Sequence, residues 1–258
     1  MKTAYIDYEL CETVPVVFIH GFPFSHEMWK PQIEELKNLF RIVAYDVRGH
    51  GKSEVGDGRY TIEFFVNDLI ELLNYRKIEK AVFVGLSMGG YIALRLAERF
   101  PERLKGLVLC DTRSEPDTNE TRVKRSESIL AVKKDGTAAF AKNFVKSVFA
   151  AETFEKKPEV VEFIRSIIEH NSPLGIAGTL LALASRTDTT PALATISVPT
   201  LILVGEYDTL TPISASEVMK QRIPNAELRV IPHAAHLSNL ENPEFFNSAL
   251  IEFLQRIV

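Results

Sequence analysis

Five largely apolar runs constrain the fold most: residues 14–19, 41–45, 81–84, 106–110 and 199–204, with a shorter sixth at 228–231. They are rich in Val, Ile and Leu, and polar residues do not alternate with them. A strand with one wet face alternates; a strand covered on both faces can be apolar throughout. Between these runs lie stretches with helical spacing at 61–75, 88–100, 215–222 and 243–257. Strand and helix in series predict an α/β fold, with a mostly parallel sheet flanked by helices.

The rhythm breaks once. After Asp111 no strand-like run appears until Thr200, and four helical stretches fill the interval, near 120–134, 137–149, 158–171 and 174–186. Such an interval is too long for a plain connection. Residues 114–186 are expected to form an inserted helical cap on a core domain made of 1–113 and 187–258. The cap's apolar residues, Phe140, Phe144, Phe149, Ile164, Leu180 and Leu183, are expected to bury against one another or against that core.

Composition narrows the partners. The net charge of −4 and the pI near 5.9 lack the basic footprint of a nucleic-acid binder. No window is apolar for long enough to span a membrane. The first residues reach Asp7 before any apolar run that would serve as a signal peptide, so a cytoplasmic protein is expected. Cys11 and Cys110 are too few for a disulfide framework, and Cys110, closing an apolar run, reads as a small core residue. No Cys/His cluster has metal-ligand spacing. No metal or organic cofactor is expected, and the partner is a small molecule.

The chemistry lies in Gly85-Leu86-Ser87-Met88-Gly89. It follows the run 81–84 and opens a helical stretch, so Ser87 sits on a sharp strand-to-helix turn. Its neighbours two residues away must be small to fit that turn. The hydroxyl then projects above the C-terminal edge of the sheet, where open α/β sheets bind ligands. Serine needs a base, and the base needs an acid to orient it. His233 and His236 both follow the last strand. His236 is preferred because it directly precedes the final helix and has the longer loop to reach back. Asp208 lies just beyond the run 199–204, with Glu206 as the fallback. Negative charge on a carbonyl oxygen requires two waiting N–H donors. Met88 follows the nucleophile. In the loop His20-Gly21-Phe22-Pro23-Phe24 the proline has no N–H, which leaves Phe22. His20 reads as a brace for that loop. Asp46, Arg48 and His50 read as a structural turn supporting it.

Together these residues resemble the α/β-hydrolase fold superfamily with a helical cap. The resemblance rests on His20-Gly21-Phe22 ahead of a first helix containing Trp29, the turn 46–53, and segments 85–90, 205–208 and 236–243. The order Ser87, Asp208, His236 is the order of that fold. Within it the chain looks most like the 3-oxoadipate enol-lactonase and carboxylesterase-like branch, where Gly-Leu-Ser-Met-Gly-Gly is common. The resemblance implies a serine hydrolase that cleaves a small carboxylic ester or lactone through an acyl-enzyme. Carbon–carbon bond hydrolysis, amide hydrolysis, perhydrolysis and a low-turnover ligand sensor remain alternatives. Dehalogenases and epoxide hydrolases of this fold carry an aspartate where Ser87 stands. Members usually begin with a two-strand hairpin, whereas residues 3–10 leave room for about one strand.

Substrate contacts are expected from Phe22, Phe24, Trp29 and Met88. Arg113, two residues beyond its strand, has two readings. It pairs with a substrate carboxylate, or it is a solvated arginine paired with Glu115 or Asp117.

Overall fold

The computed structural model describes residues 1–9 and 13–257. Leu10, Cys11, Glu12 and Val258 lie outside them, and with them the reading of Cys11. The strands are β1 (Tyr5–Tyr8), β2 (Val16–Ile19), β3 (Ile42–Tyr45), β4 (Ala81–Leu86), β5 (Leu104–Cys110), β6 (Thr200–Gly205) and β7 (Ala226–Ile231). They form one seven-stranded sheet in the order β1-β3-β2-β4-β5-β6-β7. β1 is antiparallel to β3, with Tyr5 opposite Tyr45, and every other pair is parallel. The unalternated runs have the predicted cause, since β2, β3, β4 and β6 are buried at every residue. β1 is half-buried at all four positions, as suits an edge, and it is the single strand that residues 3–10 have room for.

Helices α1 (Lys30–Leu36), α2 (Ile62–Tyr75), α3 (Met88–Arg99), α8 (Ile213–Arg222), α9 (Ser238–Glu241) and α10 (Pro243–Leu254) accompany the sheet. Their ends follow local chemistry. The Thr61 hydroxyl accepts from Phe64 N–H to start α2, and the Asn242 side chain accepts from Phe245 N–H to start α10. α10 turns Phe246, Leu250, Phe253 and Leu254 inward. Trp29 is a correction. It closes a short 3-10 turn, His26–Trp29, and α1 starts only after it, with Pro31 in its first turn.

Strand order locates the crevice. From β2 the chain moves outward to β3, then crosses to the other side of β2 to lay down β4. The connections after β2 and β4 therefore leave in opposite directions. Such a switch point opens a cleft at the C-terminal strand ends. The loop at 20–24 and Ser87 flank that cleft.

Between β5 and β6 come α4 (Asn119–Val148), α5 (Ala151–Lys156), α6 (Pro158–Glu169) and α7 (Pro173–Ser185). α4 is kinked at Gly136, whose φ of 79° interrupts the helical backbone between the two predicted stretches. The sequence pattern does not mark α5, which is only six residues long. Phe149, Ile164, Leu180 and Leu183 are buried, whereas Phe140 and Phe144 are half-buried and stack with centroids 5.4 Å apart. Asn171 joins this layer to the sheet. It donates to Pro23 O at 2.7 Å and accepts from Gly51 N–H at 2.7 Å.

Candidate active site

Ser87 stands between β4 and α3 with φ 54° and ψ −111°, a strained conformation for a residue with a side chain. Two glycines permit it. A Cβ on Gly85 would lie 2.3 Å from Gly89 O, and a Cβ on Gly89 would lie 2.1 Å from Ile19 O. The turn is pinned by Ser87 N–H donating to Cys110 O at 2.9 Å and by the Thr112 hydroxyl donating to Ser87 O at 2.8 Å.

Ser87 Oγ is 2.9 Å from His236 Nε2, and His236 Nδ1 is 2.8 Å from Asp208 Oδ2. The three side chains come from the ends of β4, β6 and β7 and meet above one edge of the sheet. Asp208 is buried and its carboxylate is saturated. Oδ1 accepts from Leu210 and Thr211 N–H at 2.8 and 3.0 Å, and Oδ2 accepts from the Thr211 hydroxyl at 2.5 Å. Burial pushes the Asp208 pKa up, but the neighbouring His236 and the bonds from His236 and Thr211 outweigh it, and the net shift is downward. The rejected candidates sit elsewhere. His233 is exposed, and its N–H donates at 3.0 Å to Glu206.

Two backbone donors border the same cavity. Phe22 N–H has no acceptor among the described residues, and Met88 N–H heads α3, where no preceding helical carbonyl is available. The Phe22 loop is braced by His20, whose Nδ1 donates to Gly21 O at 2.8 Å and whose Nε2 accepts from Val47 N–H at 2.9 Å. That pattern fixes the neutral tautomer, and burial holds the His20 pKa down at about 4. Behind it, Asp46 accepts from His26 N–H, His26 Nδ1 and Lys52 N–H at 2.8, 2.7 and 2.9 Å. Arg48 forks onto Asp68 with two bonds of 2.5 Å. These groups hold the turn 46–53 and do not reach the cavity.

The cavity has a volume of about 430 Å³, the size of a small-molecule site. Phe22, Phe140, Phe144, Leu180 and Leu183 form an apolar wall, and Arg113, Asp117, Lys124 and Arg125 a charged one. Two expected contacts do not line it. Trp29 is fully buried in the core, its ring 5.0 Å from Phe18 and 6.2 Å from Phe246. Phe24 is also fully buried, one layer back, with its ring 6.1 Å from that of Phe144. Residue type places an aromatic near a loop but does not tell which way it turns.

Two buried carboxylates that sequence reasoning missed hold the base's loop. Asp111 Oδ2 accepts from the Ser238 hydroxyl at 2.5 Å and Oδ1 from Gly205 N–H at 2.8 Å. Glu241 Oε2 accepts from Ala235 N–H at 2.7 Å, while Oε1 accepts from Ala150 N–H at 2.7 Å and the Thr153 hydroxyl at 2.5 Å. His236 N–H itself donates to Val148 O at 3.1 Å. Among the described residues, no three His, Cys, Asp or Glu side chains are grouped to hold a metal ion, and no helix is long and apolar enough to cross a membrane.

Comparison with known proteins agrees with this fold. A family model described as "alpha/beta hydrolase fold" matches residues 14–243. The chain is 33% identical over 257 residues to 3-oxoadipate enol-lactonase 1 of Acinetobacter baylyi, covering 99% of this chain and 94% of that protein. Among solved structures, a thermophilic esterase from Thermogutta terrifontis, with malate bound, superposes with a TM-score of 0.94 at 39% identity, over 99% of this chain and 93% of that one. An enol-lactonase from Burkholderia xenovorans gives a TM-score of 0.92 at 30% identity, over 98% and 96% of the two chains.

Proposed function

The chain belongs to the alpha/beta hydrolase fold family as an esterase- and lactonase-like member, and from that premise we propose that it cleaves a small carboxylic ester or lactone through an acyl-enzyme on Ser87. The observation that carries this reading is the unbroken hydrogen-bond chain from Ser87 Oγ through His236 to Asp208, at 2.9 and 2.8 Å.

As Ser87 Oγ attacks the carbonyl carbon, its proton passes to His236 Nε2. Asp208 holds the ring through Nδ1 and stabilises the imidazolium that forms. Phe22 and Met88 N–H groups receive the charge on the carbonyl oxygen, and each such donor is typically worth about 2.7–4 kcal/mol in the transition state. The tetrahedral intermediate collapses, the C–O bond to the leaving group breaks, and His236 returns the proton to that oxygen. In a lactone the released alcohol stays tethered to the acyl group, so the product is a hydroxy acid. Water then attacks the acyl carbon, giving its proton to His236, and Ser87 leaves with it. On this reading 114–186 acts as a cap domain over the core, and its Phe140, Phe144, Leu180 and Leu183 shape the acyl site.

The test is hydrolysis of a short chromogenic ester by wild type and by Ser87→Ala. The reading expects turnover that falls by at least about 10³-fold in the variant. Equal turnover in both would refute it, and so would tight ester binding with negligible wild-type turnover.

A further inference from the structure

Resting on the serine-hydrolase reading, we propose that a buried amide pair, Gln32 and Asn239, sets the spacing between the base and the oxyanion hole, so that both are positioning residues for the reaction.

The two halves of the machinery start far apart. Phe22 follows β2 and His236 follows β7, and β4, β5 and β6 stand between those strands. Ladder spacings of about 4.8 Å put the two strand ends roughly 19 Å apart. Sheet register therefore does not bring the base to the hole. The segment after β7 has to reach back over the sheet and be fastened at its far end. Asp111 and Glu241 tie it to the end of β6 and to the insertion; the amide pair ties it to the hole.

Asn239 lies in α9, just beyond His236, and is fully buried. Its Nδ2 donates to Gln32 Oε1 at 3.0 Å and to Met28 O at 3.1 Å. Gln32, fully buried on α1, donates in return from Nε2 to Asn239 O at 2.9 Å and to Asn247 Oδ1 of α10 at 2.8 Å. Met28 carries the link onward. Its sulfur accepts from Gly21 N–H at 3.4 Å, and Gly21 immediately precedes Phe22. Gly21 O accepts from Phe24 N–H at 2.9 Å, which closes the loop around Phe22. Base and hole are thus joined through Asn239, Met28 and Gly21, with Gln32 locking the first step. Apolar packing joins the same elements, the Trp29 and Phe246 rings lying 6.2 Å apart. Such contact is non-directional, whereas paired amides fix distance and angle. Asn239 Oδ1 is buried without a partner, a cost that stability alone does not explain. Placement does, because an error of about 1 Å in a reacting group can cost a hundredfold in rate.

The experiment compares wild type with Gln32→Met, Asn239→Leu and the double variant, at temperatures where each is folded. On a short chromogenic ester, kcat should fall by about 3- to 30-fold in each single variant, with KM changed by less than about twofold. A short alkylboronic acid reads the same geometry without turnover. Ser87 Oγ bonds to boron, its proton passes to His236, and a boronate oxygen occupies the hole. Its inhibition constant should rise by about the same factor as kcat falls. The double variant removes both side chains, so its Tm should drop by less than the two single losses summed, while its kcat stays low. Unchanged kcat in the folded single variants overturns the proposal, as does a kcat that recovers along with Tm in the double variant. Hydrogen exchange decides the link itself. In Gln32→Met, peptides covering 20–24 and 233–238 should exchange faster together, by at least about threefold, while the strands 81–86 and 104–110 stay unchanged. Acceleration of only one of the two loops, or of the strands as well, overturns it. An inactive wild type with Ser87 unreactive would sink the hydrolase reading, and the exchange data would still decide whether the amide pair ties the two loops.

Discussion

Replacing Glu241 with Gln tests how the base's loop is held. The side chain keeps its shape but loses one acceptor oxygen. In wild type three donors converge on the carboxylate: Ala150 N–H at 2.7 Å, the Thr153 hydroxyl at 2.5 Å and Ala235 N–H at 2.7 Å. If the amide oxygen faces Ala150 and Thr153, the NH2 meets the Ala235 N–H. If it flips, the Ala150 N–H is orphaned, because only the threonine hydroxyl can turn to accept. Either way one buried N–H is left without an acceptor, at a cost of about 1–3 kcal/mol. Relief partly offsets that cost, since burial is the main reason the Glu241 pKa is raised, over the lowering effect of its hydrogen bonds. A net loss of about 1–2 kcal/mol should lower Tm by about 2–8 °C in a chain of this size. The kinetic signature separates positioning from mere stability. Ala235 immediately precedes His236, so kcat should fall by roughly 3- to 100-fold at temperatures where the variant is fully folded, with KM changed little. Ester hydrolysis beside a thermal melt reads both quantities. An unchanged kcat in a folded variant would refute the positioning role, and unchanged kcat and Tm together would refute the clamp.

Asp111→Asn should behave in the opposite way. Its oxygen can still accept from Gly205 N–H, its NH2 can donate to the Ser238 oxygen, and a buried charge beside Asp208 is gone. Burial, then repulsion from Asp208, raises the folded pKa of Asp111 well above its ordinary 3.8. The stability it contributes is therefore present below pH 3.8 and lost as pH rises through the folded pKa. The variant should gain on wild type as pH rises, by something on the order of 1 kcal/mol at neutral pH, in denaturant melts at several pH values. A variant that loses ground on wild type toward neutral pH would contradict this. Asp46→Asn has the reverse sign. Burial raises the Asp46 pKa, but the bond from His26 and the nearby imidazoles bring it down to about 2. Its contribution of about 2 kcal/mol is present above pH 3.8 and lost as pH falls toward 2. The stability gap between wild type and the variant should close over that interval, and a gap independent of pH would refute the assignment.

The parts of the fold legible in the sequence are those set by local rules. Burial on both faces leaves unalternated apolar runs, and the sheet follows from them. A serine between glycines at a strand-to-helix junction, with an acid and a histidine after later strands, is equally legible because each is tied to a strand end. What stayed hidden depends on approach across the chain. The partners of Glu241 include Ala150 and Thr153, 91 and 88 residues away. Those of Asp111 are Gly205 and Ser238, 94 and 127 residues away. Trp29 and Phe24 sit beside the right loop, but their rings turn into the core, which residue type does not disclose. Arg113 shows the same limit in charge. Neighbouring Glu115 and Asp117 make a local pair the natural reading, yet Asp117 is occupied by Arg125 and by Arg186, which lies across the insertion.

The most direct measurement is treatment with a fluorophosphonate followed by mass spectrometry of the intact chain and its peptides. One equivalent of label on the peptide carrying Ser87, with labelling slowed strongly by His236→Ala, is the predicted result. Label on another residue, or none on a preparation that still cleaves esters, would contradict the assignment of Ser87 as the nucleophile.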